Sequence, residues 1–153
     1  MEEGAGGEAT PREAWLRAYR VPVARIGEGR RLARCGVRCG GDVSDGLVAD
    51  AGRTAGASGC GAELWLDAIP IADGVRESFD DAWMEVALGG GEDFELLCAA
   101  PPDLAARVLE AWPPELAPLG VIGQLVDGTG VRLRNTRGGA TLATPAVRSR
   151  HWG

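Results

Sequence analysis

The sequence predicts a single α/β domain of mixed α+β character, with a mixed sheet covered by helices. Three observations predict it. Helical and strand periodicities alternate along the chain, but irregularly. Two short strands follow one another near the C-terminal end, which a strictly repeating strand–helix chain does not show. The 153 residues, 45% hydrophobic and 25% charged, suffice for one ordinary core without disulfide or metal support.

Residues 1–10 are rich in Gly, Glu and Ala and read as a tail or the end of a linker. Thr10-Pro11-Arg12-Glu13 then opens a helix, with Thr as N-cap, Pro at the first helical position and Glu at the third. That helix runs to about Tyr19 and stops before Pro22. Residues 1–20 are thus tail and entry helix, and residues 21–153 form the domain. A second helix is expected over Glu28–Arg34, ended by Gly36, and a strand over Val37–Val43. Ser44 or Asp45 is the natural N-cap of a third helix through Ser58, with Leu47, Val48, Ala51 and Ala55 at helical spacing. Ala62–Leu66 reads as a strand and Ile69-Pro70-Ile71 as a loop. Asp80–Leu88 is a short helix that ends in Gly89-Gly90-Gly91. Phe94–Ala99 is an apolar strand of the buried kind. A helix from Pro101 to about Trp112 follows. Val121–Val126 and Gly130–Arg134 then form a hairpin about Asp127-Gly128-Thr129, and a last short strand lies near Ala140–Leu142.

Composition removes several function classes. The 16 basic residues against 22 acidic ones give a net charge of −6, which disfavours nucleic acid as a partner. All basic residues are Arg, so a P-loop lysine, a Schiff-base lysine and a kinase strand lysine are excluded. No run approaches ~18 consecutive apolar residues, so no membrane span is expected. Met1-Glu2-Glu3-Gly4 does not open a secretory signal. Cys35, Cys39, Cys60 and Cys98 lack zinc-site spacing, and the single histidine is His151. They read as small buried hydrophobes in a reducing cytoplasm.

Two segments could carry chemistry. In Gly41-Asp42-Val43-Ser44-Asp45-Gly46-Leu47, two carboxylates and a hydroxyl converge at a strand-to-helix junction. Carboxylates suit a hard cation, and a helix start with a hydroxyl suits phosphate oxygens. The same residues also serve as a plain helix cap. In Gly89-Gly90-Gly91-Glu92-Asp93-Phe94, three glycines allow close backbone approach, with two acids just before a strand. That segment also reads as a helix C-cap followed by an acidic turn.

Asp42-Val43-Ser44-Asp45-Gly46-Leu47 resembles the D-[IV]-S-D-G-L motif of the thiamine-monophosphate kinase family, and Gly90-Gly91-Glu92-Asp93-Phe94-Glu95-Leu96 resembles its G-G-E-D-[YF]-E-L motif. Ala57-Ser58-Gly59-Cys60-Gly61-Ala62-Glu63, Leu66-Asp67-Ala68-Ile69-Pro70 and Leu119-Gly120-Val121-Ile122-Gly123 fit in the same order, as do Tyr19-Arg20-Val21-Pro22 and Gly27-Glu28-Gly29 upstream. The resemblance runs from about residue 15 to residue 152. It implies the C-terminal domain of the aminoimidazole-ribonucleotide-synthetase-like (PurM-like) superfamily. It implies ATP and thiamine monophosphate as substrates, thiamine diphosphate as product, Mg²⁺ as cofactor and the cytoplasm as location. Carried over residue by residue, Asp42 and Asp45 would bind Mg²⁺ and Ser44 would contact ATP. Glu92 would contact the thiamine substrate, and Trp152 would be the terminal aromatic that packs on it.

The family's kinases also have an N-terminal domain. The resemblance therefore implies that this chain works with such a domain in cis or in trans, and is weak or inactive alone. A standalone module that binds nucleotide or thiamine phosphate without turnover, and a degenerate protein-interaction domain, are the alternative readings.

Overall fold

The computed structural model describes residues 10–145. The elements, in order, are α1 (Pro11–Arg20), α2 (Ile26–Arg34), β1 (Cys39–Val43), α3 (Leu47–Ala57), β2 (Gly61–Trp65), α4 (Val75–Phe79), a 3₁₀ turn (Asp80–Ala82), α5 (Trp83–Gly89), β3 (Glu95–Ala99), α6 (Pro102–Glu110), β4 (Gly123–Val126), β5 (Val131–Arg134) and β6 (Thr141–Leu142). The fold is α/β. Residues 1–9 of the expected 1–10 tail and the terminal Trp152 lie outside the described residues. Among the described residues, no helix is long and apolar enough to cross a membrane.

α1 begins as its sequence dictates. Thr10 and Glu13 form a reciprocal capping box, with Pro11 in the first turn. Trp15 fixes the helix on the loop before α4: its indole N–H donates to the Asp73 carbonyl at 3.1 Å, and its ring lies 6.1 Å from Phe79.

The single sheet expected from the sequence is instead two. β1 and β3 form an antiparallel pair, and a four-stranded mixed sheet has the order β4-β2-β5-β6. β2 is parallel to β5 and antiparallel to β4. The expected hairpin of Val121–Val126 with Gly130–Arg134 therefore does not form, because β2 lies between its two arms. The physical reason is burial. All five residues of β2 are buried, so both of its edges need a bonded neighbour. The turn between β4 and β5 spans the start of β2, where Ala62 N–H donates to the Gly130 carbonyl at 2.9 Å.

Glu63 pins this arrangement. It is buried in β2 and accepts from the Trp65 indole at 3.2 Å, from Gln124 of β4 at 3.1 Å, and from Arg134 of β5. One carboxylate thus bonds to both flanking strands, as a buried charge must if it is to be paired.

Two further expectations are corrected. β3 is not buried on both faces: Glu95 and Leu96 are exposed and the rest of the strand is half-buried, because a two-stranded sheet leaves it at an edge. The helix expected over Asp80–Leu88 is preceded by α4 and broken at Asp80, whose φ of 41° interrupts helical geometry.

The core joins both sheets through α3. Val43 of β1, Leu47, Val48, Ala51 and Ala55 of α3, Ala62 and Leu64 of β2, Leu88 of α5 and Leu133 of β5 are buried together. Small residues bring α3 close to the larger sheet: a Cβ at Gly52 would lie 3.2 Å from Val131. α3 is thus held firmly behind the loop that precedes it, the Asp42–Gly46 segment.

Candidate functional site

The two segments singled out by sequence meet backbone to backbone. β1 and β3 pair antiparallel with Asp42 opposite Leu96 and Val43 opposite Glu95. Beyond the ladder, Glu92 N–H donates to the Ser44 carbonyl at 2.9 Å, and Phe94 N–H to the Val43 carbonyl at 2.8 Å. Glycines make the approach possible. A Cβ on Gly91 would lie 2.5 Å from the Ser44 oxygen, and one on Gly46 would lie 2.8 Å from the Gly90 oxygen. Real Cβ atoms do not come that close to a carbonyl oxygen.

The Gly89–Phe94 loop is also strained. Glu92 and Phe94 hold φ values of 70° and 52°, a region that L side chains seldom occupy. Such backbone persists where surrounding bonds over-determine it, and clusters at functional sites. The two amide bonds to Val43 and Ser44 are those constraints here.

The cap expected at Ser44 or Asp45 is not used. The N-cap of α3 is Gly46, at φ 102° and ψ 147°, and no side chain caps the helix. Instead Asp50, one turn into α3 and 3% exposed, reaches back. Its Oδ2 accepts from the amides of Ser44 at 2.9 Å and Asp45 at 3.0 Å. Asp45 is half-buried and pairs with Arg53 Nη1 at 2.5 Å. Arg53 also pairs with Asp50. Asp42 lies exposed near the end of β1, and Ser44 is half-buried just beyond it.

The structure therefore places Asp42 near the end of β1, Ser44 and Asp45 on the loop that follows it, and exposed Glu92 on the loop bonded to that one. The Tyr19 hydroxyl at the end of α1 hydrogen-bonds the Glu92 carboxylate, and this bond raises the Tyr19 pKa. Arg25 makes a two-pronged pair with Glu95, at 2.8 and 2.6 Å.

Sequence reasoning missed Asp50, Arg53 and the state of Asp93. Only the position of Asp50 in the first helical turn could have signalled its role. Asp93 is exposed as a residue, yet partial burial of its carboxyl, aided by the charge of Glu95, pushes its pKa up to about 6. A raised carboxyl pKa favours the protonated fold, so this group's contribution to stability is full below about pH 3.9 and is lost as pH rises through about 6. Asp93→Asn is therefore expected to raise Tm at pH 7.5 by about 1–3 °C, a gain kept small by that exposure. The gain should vanish near pH 4, and an equal change at both pH values in thermal melts would contradict this.

Carboxylate oxygens suit a hard divalent cation, and Mg²⁺ is commonly held by one or two of them plus water and phosphate oxygens. Asp42 and Asp45 meet that requirement in donor chemistry. Among the described residues there is no group of three or more His, Cys, Asp or Glu that could enclose an ion. The segment thus presents carboxylate oxygens of the right kind without enclosing an ion among the described residues.

Comparison with known proteins identifies the family of this fold. The family described as AIR synthase related protein, C-terminal domain, matches residues 8–135. The thiamine-monophosphate kinase of Caulobacter vibrioides is 34% identical over 123 residues, 77% of this chain and 35% of that protein. The crystal structure of the thiamine-monophosphate kinase of Stenotrophomonas maltophilia superposes with a TM-score of 0.69 at 33% identity, over 86% of this chain and 42% of that one. A structure described as AaThiL complexed with AMPPCP and TMP superposes with a TM-score of 0.70 at 26% identity, over 95% of this chain and 44% of that one. The chain thus spans less than half the length of these relatives. Fold, motif pairing and the match over residues 8–135 together show that the chain belongs to the AIR synthase related protein, C-terminal domain family, in the form carried by thiamine-monophosphate kinases.

Proposed function

We propose that the chain supplies the C-terminal part of a thiamine-monophosphate kinase active site, in which the γ-phosphate of ATP passes to thiamine monophosphate to give thiamine diphosphate and ADP. The observation that carries this reading is the backbone bonding of the Ser44–Asp45 loop to the Glu92 loop. It sets the residues read for nucleotide and cation beside the one read for the thiamine substrate.

In this reading Asp42 and Asp45 hold Mg²⁺, Ser44 donates to a phosphate oxygen of ATP, and Glu92 meets the thiamine substrate. Mg²⁺, when bound, reduces the repulsion between two anionic phosphates. The chain's own part is positioning. Phosphoryl transfer needs alignment and charge neutralisation rather than a protein nucleophile, which suits a chain with no lysine. Asp50 and the two glycine contacts fix the loop, so that Asp42, Ser44 and Asp45 do not have to be ordered when substrate arrives. In this reading turnover also needs a further N-terminal domain, in cis or in trans, as the motif resemblance implies. The residues 21–153 act as one domain in this reading, entered through residues 1–20, and work in the cytoplasm.

The direct test is calorimetric titration of the chain with the non-hydrolysable analogue AMPPCP. Binding is expected with Mg²⁺ present, and at least about 10-fold weakening by Asp42→Asn, the loss of one charged contact. Binding that is indifferent to Mg²⁺ and to Asp42 would overturn the assignment. Binding without turnover, even when the other domain is supplied, would leave a binding module.

A further inference from the structure

Arg53 stands in the second turn of α3, and its guanidinium reaches back to two carboxylates, one within the first turn and one before the helix start. One is Asp45, 2.5 Å from Nη1, and the other is Asp50. These two acids differ in exposure. Asp50 is 3% exposed, and both loop amides hold its Oδ2. The Asp45 side chain is 38% exposed and that of Arg53 60%. A single guanidinium thus bridges one locked acid and one accessible acid, and the accessible one is the acid read above as a cation ligand.

Resting on that reading, we propose that Arg53 is the resident counter-ion of Asp45, anchored on Asp50, and that a divalent cation takes Asp45 by displacing it. Mg²⁺ binds carboxylate oxygen at about 2.1 Å, and a guanidinium packed on the same carboxylate would face it as a like charge. A solvent-exposed ion pair is weak enough to give way. Asp50 keeps the displaced guanidinium tethered beside the loop, so Arg53 returns to Asp45 when the cation leaves. The pair therefore keeps Asp45 aligned and charge-compensated in the absence of metal, at a cost in cation affinity.

The test uses the full chain, labelled with ¹⁵N. Mn²⁺ is titrated while broadening of the amides from Asp42 to Gly46 is followed, and Mg²⁺ is titrated while the Arg53 Nε–H signal is followed. Mg²⁺ is expected to shift that signal in the unsubstituted chain. R53Q is expected to bind Mn²⁺ about 2- to 5-fold more tightly, the size of one exposed ion pair. R53K, which keeps the charge, should bind nearly as the unsubstituted chain does. Cation binding that leaves the Arg53 signal unmoved, or that is no tighter in R53Q, overturns the displacement while the cation reading stands. Absence of amide broadening in every variant overturns the cation reading, and the displacement with it. The Arg53 signal needs no substitution, so the proposal stays testable even if a variant folds poorly.

Discussion

Gly46→Ala is expected to lower Tm by about 5–15 °C and to uncouple the two motif loops. Gly46 sits at φ 102° and ψ 147°, backbone that is essentially reserved for glycine. Forcing a side chain there costs about 1–3 kcal/mol. The added Cβ would also lie 2.8 Å from the Gly90 carbonyl oxygen, which is backbone and cannot swing away. Such overpacking costs about a further 1–3 kcal/mol. Alanine restricts the unfolded chain and returns only about 0.4–1 kcal/mol, so the strain wins. For a domain of this length each kcal/mol moves Tm by about 2–4 °C. Gly56→Ala is the internal control. It lies within α3, and an added Cβ would meet nothing within 4 Å, so that change should be neutral or slightly stabilising. A Gly46→Ala melt within ~2 °C of the parent would mean that the loops are not held as described.

Asp50→Ala is expected to be about as damaging, for a different reason. The buried carboxylate accepts from the Ser44 and Asp45 amides, and truncation leaves both donors without that acceptor. A fully buried unsatisfied donor costs about 1–3 kcal/mol, and these two are half-buried, so the loss is about 2–4 kcal/mol in all. Arg53 would lose its anchor as well. Asp50→Asn keeps one acceptor oxygen and should recover part of the loss. Urea melts give the energies, and amide hydrogen exchange at Ser44 and Asp45 shows whether the damage is local. Because Gly46 and Asp50 brace the same turn, the double variant should lose less than the sum of the two. Full additivity would separate them.

What the sequence made legible follows how local each cause is. The α1 start was readable because Thr10, Pro11 and Glu13 satisfy their own helix end. Acids and glycines at element ends are as readily helix caps as site residues, so both motif loops were readable as candidates chiefly because the two motifs occur together and in order. That the loops share hydrogen bonds was not readable from the residues alone, since β1 and β3 pair across some fifty residues of chain. The hairpin was misread for the same reason. Val121–Val126 and Gly130–Arg134 look self-sufficient around Asp127-Gly128, but β2 claims both strands. Asp50 and Arg53 escaped notice because they act on peptide N–H groups and on another side chain's charge, and neither act leaves a motif.

The most direct measurement is formation of thiamine diphosphate from ATP and thiamine monophosphate with Mg²⁺. It should be run with the purified chain alone, and with the N-terminal portion of the Caulobacter vibrioides relative added as a separate polypeptide. Turnover is expected only in the combined reaction, with loss on Asp42→Ala. Turnover by the chain alone would contradict the need for a second domain. Absence of product in the combined reaction, with the two polypeptides shown to associate, would contradict the kinase assignment itself.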